Sequence, residues 1–162
     1  MANIIVIANQ KGGVGKTTTS INLAAALGQL GKKTLLVDLD SQGNASSACG
    51  LSHDQATPTI YDLLLGEVDA SQCIKRAAED GFDIIPSNRD LMAAEIQLLE
   101  LEERELILKK ALDGITNLYD FIVIDSPPSM NILTLNALSF AECLIIPVPV
   151  SYTHLTLPTS IQ

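Results

Sequence analysis

The chain of 162 residues is long enough for one α/β domain, and 47% of its residues are hydrophobic, which predicts a globular fold rather than disorder. Its 10 basic and 19 acidic side chains give a formal net charge of −9. This charge excludes a protein that coats nucleic acid through its overall charge. The 3 cysteines are widely spaced and form no C-x-x-C pair, so they indicate neither a zinc site nor a disulfide framework.

Nothing in the sequence predicts export or membrane insertion. The first nine residues lack the basic start of a secretory signal, and their apolar run is too short for one. No apolar run approaches the roughly 20 residues that cross a bilayer. We therefore expect a cytoplasmic protein without a membrane partner.

Short apolar runs that suit buried parallel strands alternate with helical segments along the chain. In chain order, the sequence predicts a strand at 3–9, a glycine-rich turn at 10–15, a helix at 16–30, a strand at 34–38, a loop with at most a short helix at 40–57, a short helix at 60–65, a strand at 82–85, a helical region at 90–118 that breaks near 100–103, a strand at 119–125, a helix at 133–140 and a strand at 143–148. This alternation predicts an α/β fold with a doubly wound, mostly parallel sheet flanked by helices.

The segment QKGGVGKTT at residues 10–18 connects the first predicted strand to the first predicted helix. Its glycines let the backbone wrap around phosphate oxygens, and its N–H groups form an anion nest beside the helix N-terminus. Lys16 can reach the β- and γ-phosphates, and the Thr17 hydroxyl can ligate Mg²⁺. The segment predicts a P-loop NTPase fold that binds a nucleoside triphosphate and Mg²⁺, rather than a flexible turn with solvated lysines. The expected nucleotide-binding residues here are Lys11, Gly12, Gly13, Val14, Gly15, Lys16, Thr17 and Thr18.

Acidic residues follow two other predicted strands. Asp38 and Asp40 end the second strand of the chain, and Asp125 ends the strand at 119–125. Carboxyl ends of parallel strands face the ligand crevice, so these carboxylates are expected near the phosphates, although each could instead cap a helix or a turn. Asp125 is predicted to hold Mg²⁺ through a water, and Pro127 to stiffen the loop that senses the γ-phosphate.

Several of these segments resemble one protein family. Residues 11–17 are similar to the deviant Walker A motif K-G-G-x-G-K-[ST] of the ParA/MinD superfamily. The runs ANQKGGVGKTT at 8–18, DLDSQGN at 38–44 and DSPPS at 125–129 resemble its ParA/Soj branch, with Ser41 where proline is usual.

The resemblance implies roles for individual residues. Lys11 would reach across a nucleotide-bridged dimer to the partner's phosphates, and Lys16 would act on the phosphates of its own site. Asp40 would position the attacking water, and Asp38 would support the metal shell or Lys16. The implied catalytic residues are thus Lys11, Lys16 and Asp40, and the implied metal-binding residues are Thr17, Asp40 and Asp125.

The resemblance further implies an ATPase that partitions chromosomes or plasmids. Such a protein forms an ATP-dependent homodimer, binds DNA without sequence preference when intact, is nucleoid-associated when ATP-bound, and is stimulated by a ParB-type centromere-binding partner. A MinD-like positioning or regulatory ATPase, acting on a membrane or a cellular complex, is the alternative.

The end of the chain differs in character from the rest. Residues 150–159 read VSYTHLTLPT, which fits neither a strand nor the next helix and resembles translated adaptor sequence from a sequencing library. A genuine loop is the alternative. We expect a partial ParA-type P-loop ATPase domain at 1–149, truncated at its C-terminus and weak or inactive in hydrolysis, followed by a non-native tail at 150–162.

Overall fold

The computed structural model describes residues 1–52, 56–77 and 81–150. Its strands are β1 (Asn3–Ile7), β2 (Thr34–Asp38), β3 (Lys75–Arg76), β4 (Asp83–Ile85), β5 (Phe121–Asp125) and β6 (Cys143–Ile145). They form a six-stranded sheet in the order β3-β4-β2-β5-β1-β6. All neighbouring strands are parallel except β3 and β4, which are antiparallel. The mostly parallel sheet predicted from the sequence is confirmed.

Helices cover both faces of this sheet. They are α1 (Lys16–Gln29), α2 (Asn44–Ala48), α3 (Ile60–Leu64), α4 (Ala70–Cys73), α5 (Leu91–Gln97), α6 (Ile107–Leu112) and α7 (Ile132–Phe140). Short 3₁₀ turns occur at Leu98–Glu100, Arg104–Leu106 and Asp113–Leu118. No helix in the described ranges combines the length and the apolar character needed to span a bilayer.

The core consists of two apolar clusters, one on each face of the sheet. Successive side chains of a strand point to opposite faces, so each central strand contributes to both clusters. Val6 and Ile124 pack with residues of α3, α5, α6 and α7. Ile7 and Val123 pack with α1 and α2. The sheet is therefore the middle layer of three, as its nearly continuous apolar strands require.

The helical region predicted at 90–118 is divided in the structure. Glu103 has a left-handed backbone with φ of 48°, which breaks the chain direction between α5 and α6. The side chain of Asn136, on α7, accepts a hydrogen bond from Leu108 N–H at 2.9 Å and donates to Arg104 O at 2.7 Å. The predicted break near 100–103 is therefore stabilised by Asn136, a residue of a distant helix.

Three other differences concern short elements. The sequence did not predict α4 or β3, and β3 forms by pairing with β4 rather than from an apolar pattern of its own. Strand β6 ends at Ile145 instead of residue 148, because Pro147 and Pro149 have no N–H to donate to a ladder. The predicted tail at 150–162 lies outside the described residues apart from Val150, and stays a prediction.

The topology brings the ends of three central strands together. Ile7 of β1 and Asp38 of β2 are both register partners of Asp125, the last residue of β5, which lies between them. The glycine-rich turn leaves β1 at this same edge. The fold thus brings the predicted loop and the predicted carboxylates Asp38 and Asp125 to one place.

Candidate functional site

The loop between β1 and α1 has the backbone shape that its glycines allow. Gly13 and Gly15 have φ of 70° and 88°, which side-chain-bearing residues rarely adopt. A Cβ added at Gly12, Gly13 or Gly15 would meet no other heavy atom within 4 Å. The loop is thus curved by its own backbone and open on its outer side, rather than packed against another part of the protein.

The two predicted lysines of the loop differ in exposure. Lys16 begins α1, is 7% exposed, and donates from Nζ to Lys11 O at 2.9 Å, which holds its ammonium against the loop backbone. Lys11 is exposed. Its N–H donates to Asn9 Oδ1 at 3.0 Å, and Asn9 Nδ2 donates to Pro147 O at 2.8 Å. The loop is thereby connected to the chain that follows β6.

Asp125 connects this loop to the sheet. Its side chain is buried, and it accepts hydrogen bonds from Thr17 Oγ1 at 2.8 Å and from Ser20 Oγ at 2.9 Å. Burial raises the pKa of Asp125, while the two hydroxyl groups and, to a lesser degree, the Lys16 ammonium lower it; the Asp40 carboxylate raises it further. The predicted Thr17, Lys16 and Asp40 therefore all lie close enough to Asp125 to affect its carboxylate.

Asp38, at the end of β2, is held by hydrogen bonds from the chain that follows it. It is fully buried, with Oδ2 accepting from Ser46 N–H at 2.9 Å and Ser46 Oγ at 2.7 Å, and Oδ1 accepting from Asp40 N–H at 3.2 Å. Burial raises the pKa of Asp38 to about 7, against the Ser46 hydrogen bonds, and the neighbouring Asp125 contributes to the rise. Both carboxylate oxygens of Asp38 accept hydrogen bonds from residues that follow β2. The expected support of a metal shell or of Lys16 stays a prediction.

Asp40 lies in a tight turn beside this network. Its Oδ1 accepts from Gln42 N–H at 3.0 Å and its backbone O accepts from Gly43 N–H at 2.9 Å. The residue is 8% exposed. The turn fixes the direction of the Asp40 side chain, and its predicted role in positioning a water molecule stays a prediction.

Comparison with known proteins places this arrangement in a family. The AAA_31 family, described as an AAA domain, matches residues 2–157. The matched range therefore extends past Pro149. This chain belongs to the AAA_31 family. Its relatives include the sporulation initiation inhibitor protein Soj of Bacillus subtilis, 46% identical over 152 residues (94% of this chain, 60% of Soj), and the chromosome partitioning protein ParA of Myxococcus xanthus, 45% identical over 152 residues (94% and 54%).

A solved structure supports the same fold. Cobyrinic acid a,c-diamide synthase from Mycobacterium smegmatis, with bound ADP and magnesium, superposes on the AAA_31 chain with a TM-score of 0.88 and 41% identity, covering 91% of this chain and 60% of that one. The chain thus spans little more than half the length of the curated relatives reported above.

The segment after Asp125 is held firmly in this AAA_31 chain. Ser126 donates from Oγ to Ile7 O at 2.8 Å, which joins β5 to the start of the loop. Thr134 Oγ1 donates to Ser129 O at 2.6 Å, so α7 holds the other end of the segment. Pro127 between them is buried and lines a cavity of about 340 Å³ beside Gln10.

Several residues of the AAA_31 site were not predicted from the sequence. Ser20 could have been found, because it lies one turn after Thr17 on the same side of α1 and therefore reaches the same carboxylate. Asn9 and Ser87 carry no local signal, since their partners Pro147 and Ser46 lie far away in the chain, and Ser46 reaches Asp38 only because the loop after β2 folds back. Val14 is half-buried and Thr18 exposed, and both remain predicted nucleotide contacts.

Proposed function

We propose that this AAA_31 chain binds ATP with Mg²⁺ and hydrolyses it to ADP and phosphate, in a protein that partitions chromosomes or plasmids. The observation that carries the proposal is the 2.8 Å contact between the Thr17 hydroxyl and the Asp125 carboxylate. It unites the hydroxyl and the carboxylate with which P-loop ATPases hold Mg²⁺, at the N-terminus of the helix that follows the glycine loop. The names ParA and Soj among its relatives favour partition over the MinD-like alternative.

The residues present fit magnesium and a triphosphate. In the described ranges, no cluster of three or more His, Cys, Asp or Glu side chains is placed to hold a metal ion. Mg²⁺ does not need such a cage, because it usually takes one or two protein ligands together with substrate phosphates and water. Thr17, Asp40 and Asp125 would contribute these ligands, directly or through water. When bound, Mg²⁺ neutralises charge on the β- and γ-phosphate oxygens.

The residues of the site then have distinct roles in hydrolysis. The loop N–H groups and the Lys16 ammonium hold the phosphates, since the loop is open on its outer side and Lys16 lies against its backbone. Asp40 accepts a hydrogen bond from the attacking water, because its turn fixes the carboxylate. Burial raises the pKa of Asp125, and hydrogen bonds from the hydroxyl groups of Thr17 and Ser20 oppose that rise.

We further propose that Lys11 acts in trans. Its position on the exposed side of the loop suits contact with the phosphates of a second subunit, as in the arginine-finger principle. The working protein would be an ATP-dependent homodimer that binds DNA without sequence preference, associates with the nucleoid, and is reset by a ParB-type partner. The family resemblance supports these last steps.

The two lysines give a direct test of this proposal. Lys16→Ala is expected to lower Mg²⁺-dependent ATP affinity by about 100-fold or more, because it removes a charge-assisted contact to phosphate. Lys11→Ala should keep that affinity and lose dimerisation and turnover. Isothermal titration, light scattering and phosphate release measure the three properties.

The exposed Lys32 provides the matched control, since it carries the same charge away from the loop. Lys32→Ala should behave as the wild type in all three assays. Wild-type protein without Mg²⁺-dependent ATP affinity would overturn the proposed function. A monomeric Lys11→Ala variant with normal turnover would overturn only the trans role.

The name of the M. smegmatis structure favours a second candidate, ATP-dependent amidation of an acid such as cobyrinic acid. The two functions differ in what accelerates ATP consumption. Stimulation by DNA and a ParB-type protein supports partition, whereas stimulation by cobyrinic acid and an ammonia donor supports amidation. Phosphate release with each addition distinguishes them.

A further inference from the structure

We infer that Ser46 is a positioning residue for hydrolysis, which sets the place of the Asp40 carboxylate without touching nucleotide. This role rests on the proposed ATPase function. Ser46 lies in the first turn of α2 and is 3% exposed. It connects two parts of the site that are separate in sequence, namely the end of β2, which leads directly into the turn that carries Asp40, and the segment after β4.

The Ser46 hydroxyl is used in two directions at once. It donates to Asp38 Oδ2 at 2.7 Å and accepts from Ser87 N–H at 2.9 Å. The Ser46 N–H adds a second hydrogen bond to the same Asp38 oxygen at 2.9 Å. Removing the hydroxyl would leave the buried Ser87 N–H without an acceptor and Asp38 with one donor fewer. Both losses are unfavourable, because a buried polar group without its hydrogen bond does not regain one from water.

Asp38 passes this constraint to Asp40. Its second oxygen accepts the Asp40 N–H at 3.2 Å, so the backbone at Asp40 is held by a carboxylate that Ser46 holds. The far end of the same turn is also fixed. Gly43 has φ of 61°, and a Cβ there would lie 3.0 Å from Ser87 O. Asp38 therefore holds the start of the Asp40 turn, and Ser87 packs against its end at Gly43. Ser46 hydrogen-bonds to both Asp38 and Ser87.

This arrangement predicts an effect on turnover rather than on nucleotide affinity. The phosphate-holding loop and Lys16 have no hydrogen bond to Ser46 among those described, so binding should persist without it. The attacking water depends on the direction of Asp40, and a small misplacement of such a group costs about 10- to 100-fold in rate. A purely structural role would instead reduce stability and affinity together.

The test compares Ser46→Ala with Ser47→Ala, an exposed neighbour of the same type. We expect Ser46→Ala to lower kcat for ATP by about tenfold or more and to change the Kd for Mg²⁺-ATP by less than about twofold. Ser47→Ala should match the wild type. Equal loss of affinity and rate in Ser46→Ala, or an unchanged kcat, would overturn the role.

A double-mutant cycle with Asp40→Ala tests the route of the effect. If Ser46 acts through Asp40, adding Ser46→Ala to Asp40→Ala should reduce the residual rate no further. An additive loss would overturn the inference. If Ser46→Ala lacks a cooperative thermal transition, Ser46→Thr and Ser46→Val are compared instead. These two side chains have the same shape and differ by a hydroxyl in place of a methyl group, so equal rates would contradict the role.

These outcomes are separable from failure of the proposed function. Failure of the function appears in the wild type, as the absence of Mg²⁺-dependent ATP turnover, and would remove this role as well. Failure of the inference appears only in the Ser46 variants, beside an active wild type.

Discussion

Two glycine-containing loops lie at the same edge of the sheet and are shaped by different forces. In the loop between β1 and α1, a Cβ added at Gly12, Gly13 or Gly15 would meet nothing within 4 Å. In the loop between β2 and α2, a Cβ at Gly43 would lie 3.0 Å from Ser87 O. The first loop is open toward a ligand and the second is packed against its own chain. Substitutions of these glycines should therefore affect binding in the first loop and stability in the second.

The largest effect is expected for Gly43→Ala. The left-handed backbone and the contact with Ser87 O together should lower the free energy of unfolding by about 2 kcal/mol or more. Gly12→Ala should change stability by less than about 0.5 kcal/mol, because its backbone is unstrained and its surroundings are open. It should instead weaken ATP binding by about tenfold or more, since a methyl group hinders close approach of phosphate to the backbone. Urea unfolding and ATP titration measure the two effects.

The proposed difference between the two loops would be wrong if Gly43→Ala weakened ATP binding without lowering stability and Gly12→Ala destabilised the fold. Exposed Gly114 serves as a control, because it also has open surroundings and lies in neither loop. Gly114→Ala should leave ATP affinity unchanged. A stable Gly43→Ala variant would show that the second loop can move away from Ser87.

The same difference explains what the sequence could predict. The first loop is recognisable because its glycines, Lys16 and Thr17 act within one continuous segment between a strand and a helix. The strand-end position of Asp125 was likewise predictable, because parallel strands end at one edge. The network around Asp38 was not, since Ser46 reaches Asp38 only when the loop after β2 folds back, and Ser87 reaches Ser46 only after β2 and β4 pair.

Elements that depend on distant partners escaped prediction for the same reason. Strand β3 has two polar residues and exists through its pairing with β4. The division of the 90–118 region depends on Asn136, whose amide binds backbone groups on both sides of α6's start. Long apolar strands were predictable, and short elements set by tertiary contacts were not.

A smaller effect is expected from the two hydroxyl groups that bind Asp125. Ser20 is buried, and its hydroxyl lies 2.9 Å from both Asp125 Oδ1 and Lys16 O and can donate its one proton to either, so Ser20→Ala should lower the free energy of unfolding by about 1–2 kcal/mol. Thr17 is half-buried at the start of α1, on the side of the loop. Thr17→Val should cost less stability and should weaken Mg²⁺-dependent ATP binding, because the hydroxyl is a proposed metal ligand. Equal effects of both variants on binding would place Ser20 in the metal site as well.

The most gradual effect is the pH dependence of stability, which compares burial with hydrogen bonding at Asp38. Burial raises the pKa of Asp38 to about 7, above the value near 3.9 of an unfolded chain. Between these values the folded protein binds the proton more tightly, so this group makes the free energy of unfolding fall as pH rises from about 4 to about 7, by at most about 1.4 kcal/mol per pH unit. Urea unfolding without nucleotide or Mg²⁺ should show this slope, and Asp38→Asn should flatten it, whereas Asp113→Asn, at an exposed carboxylate, should not. If Asp38→Asn instead removed a rise in stability over this range, the donors from Ser46 and Asp40 would outweigh burial, and the packed loop would hold a permanent negative charge beside Asp125.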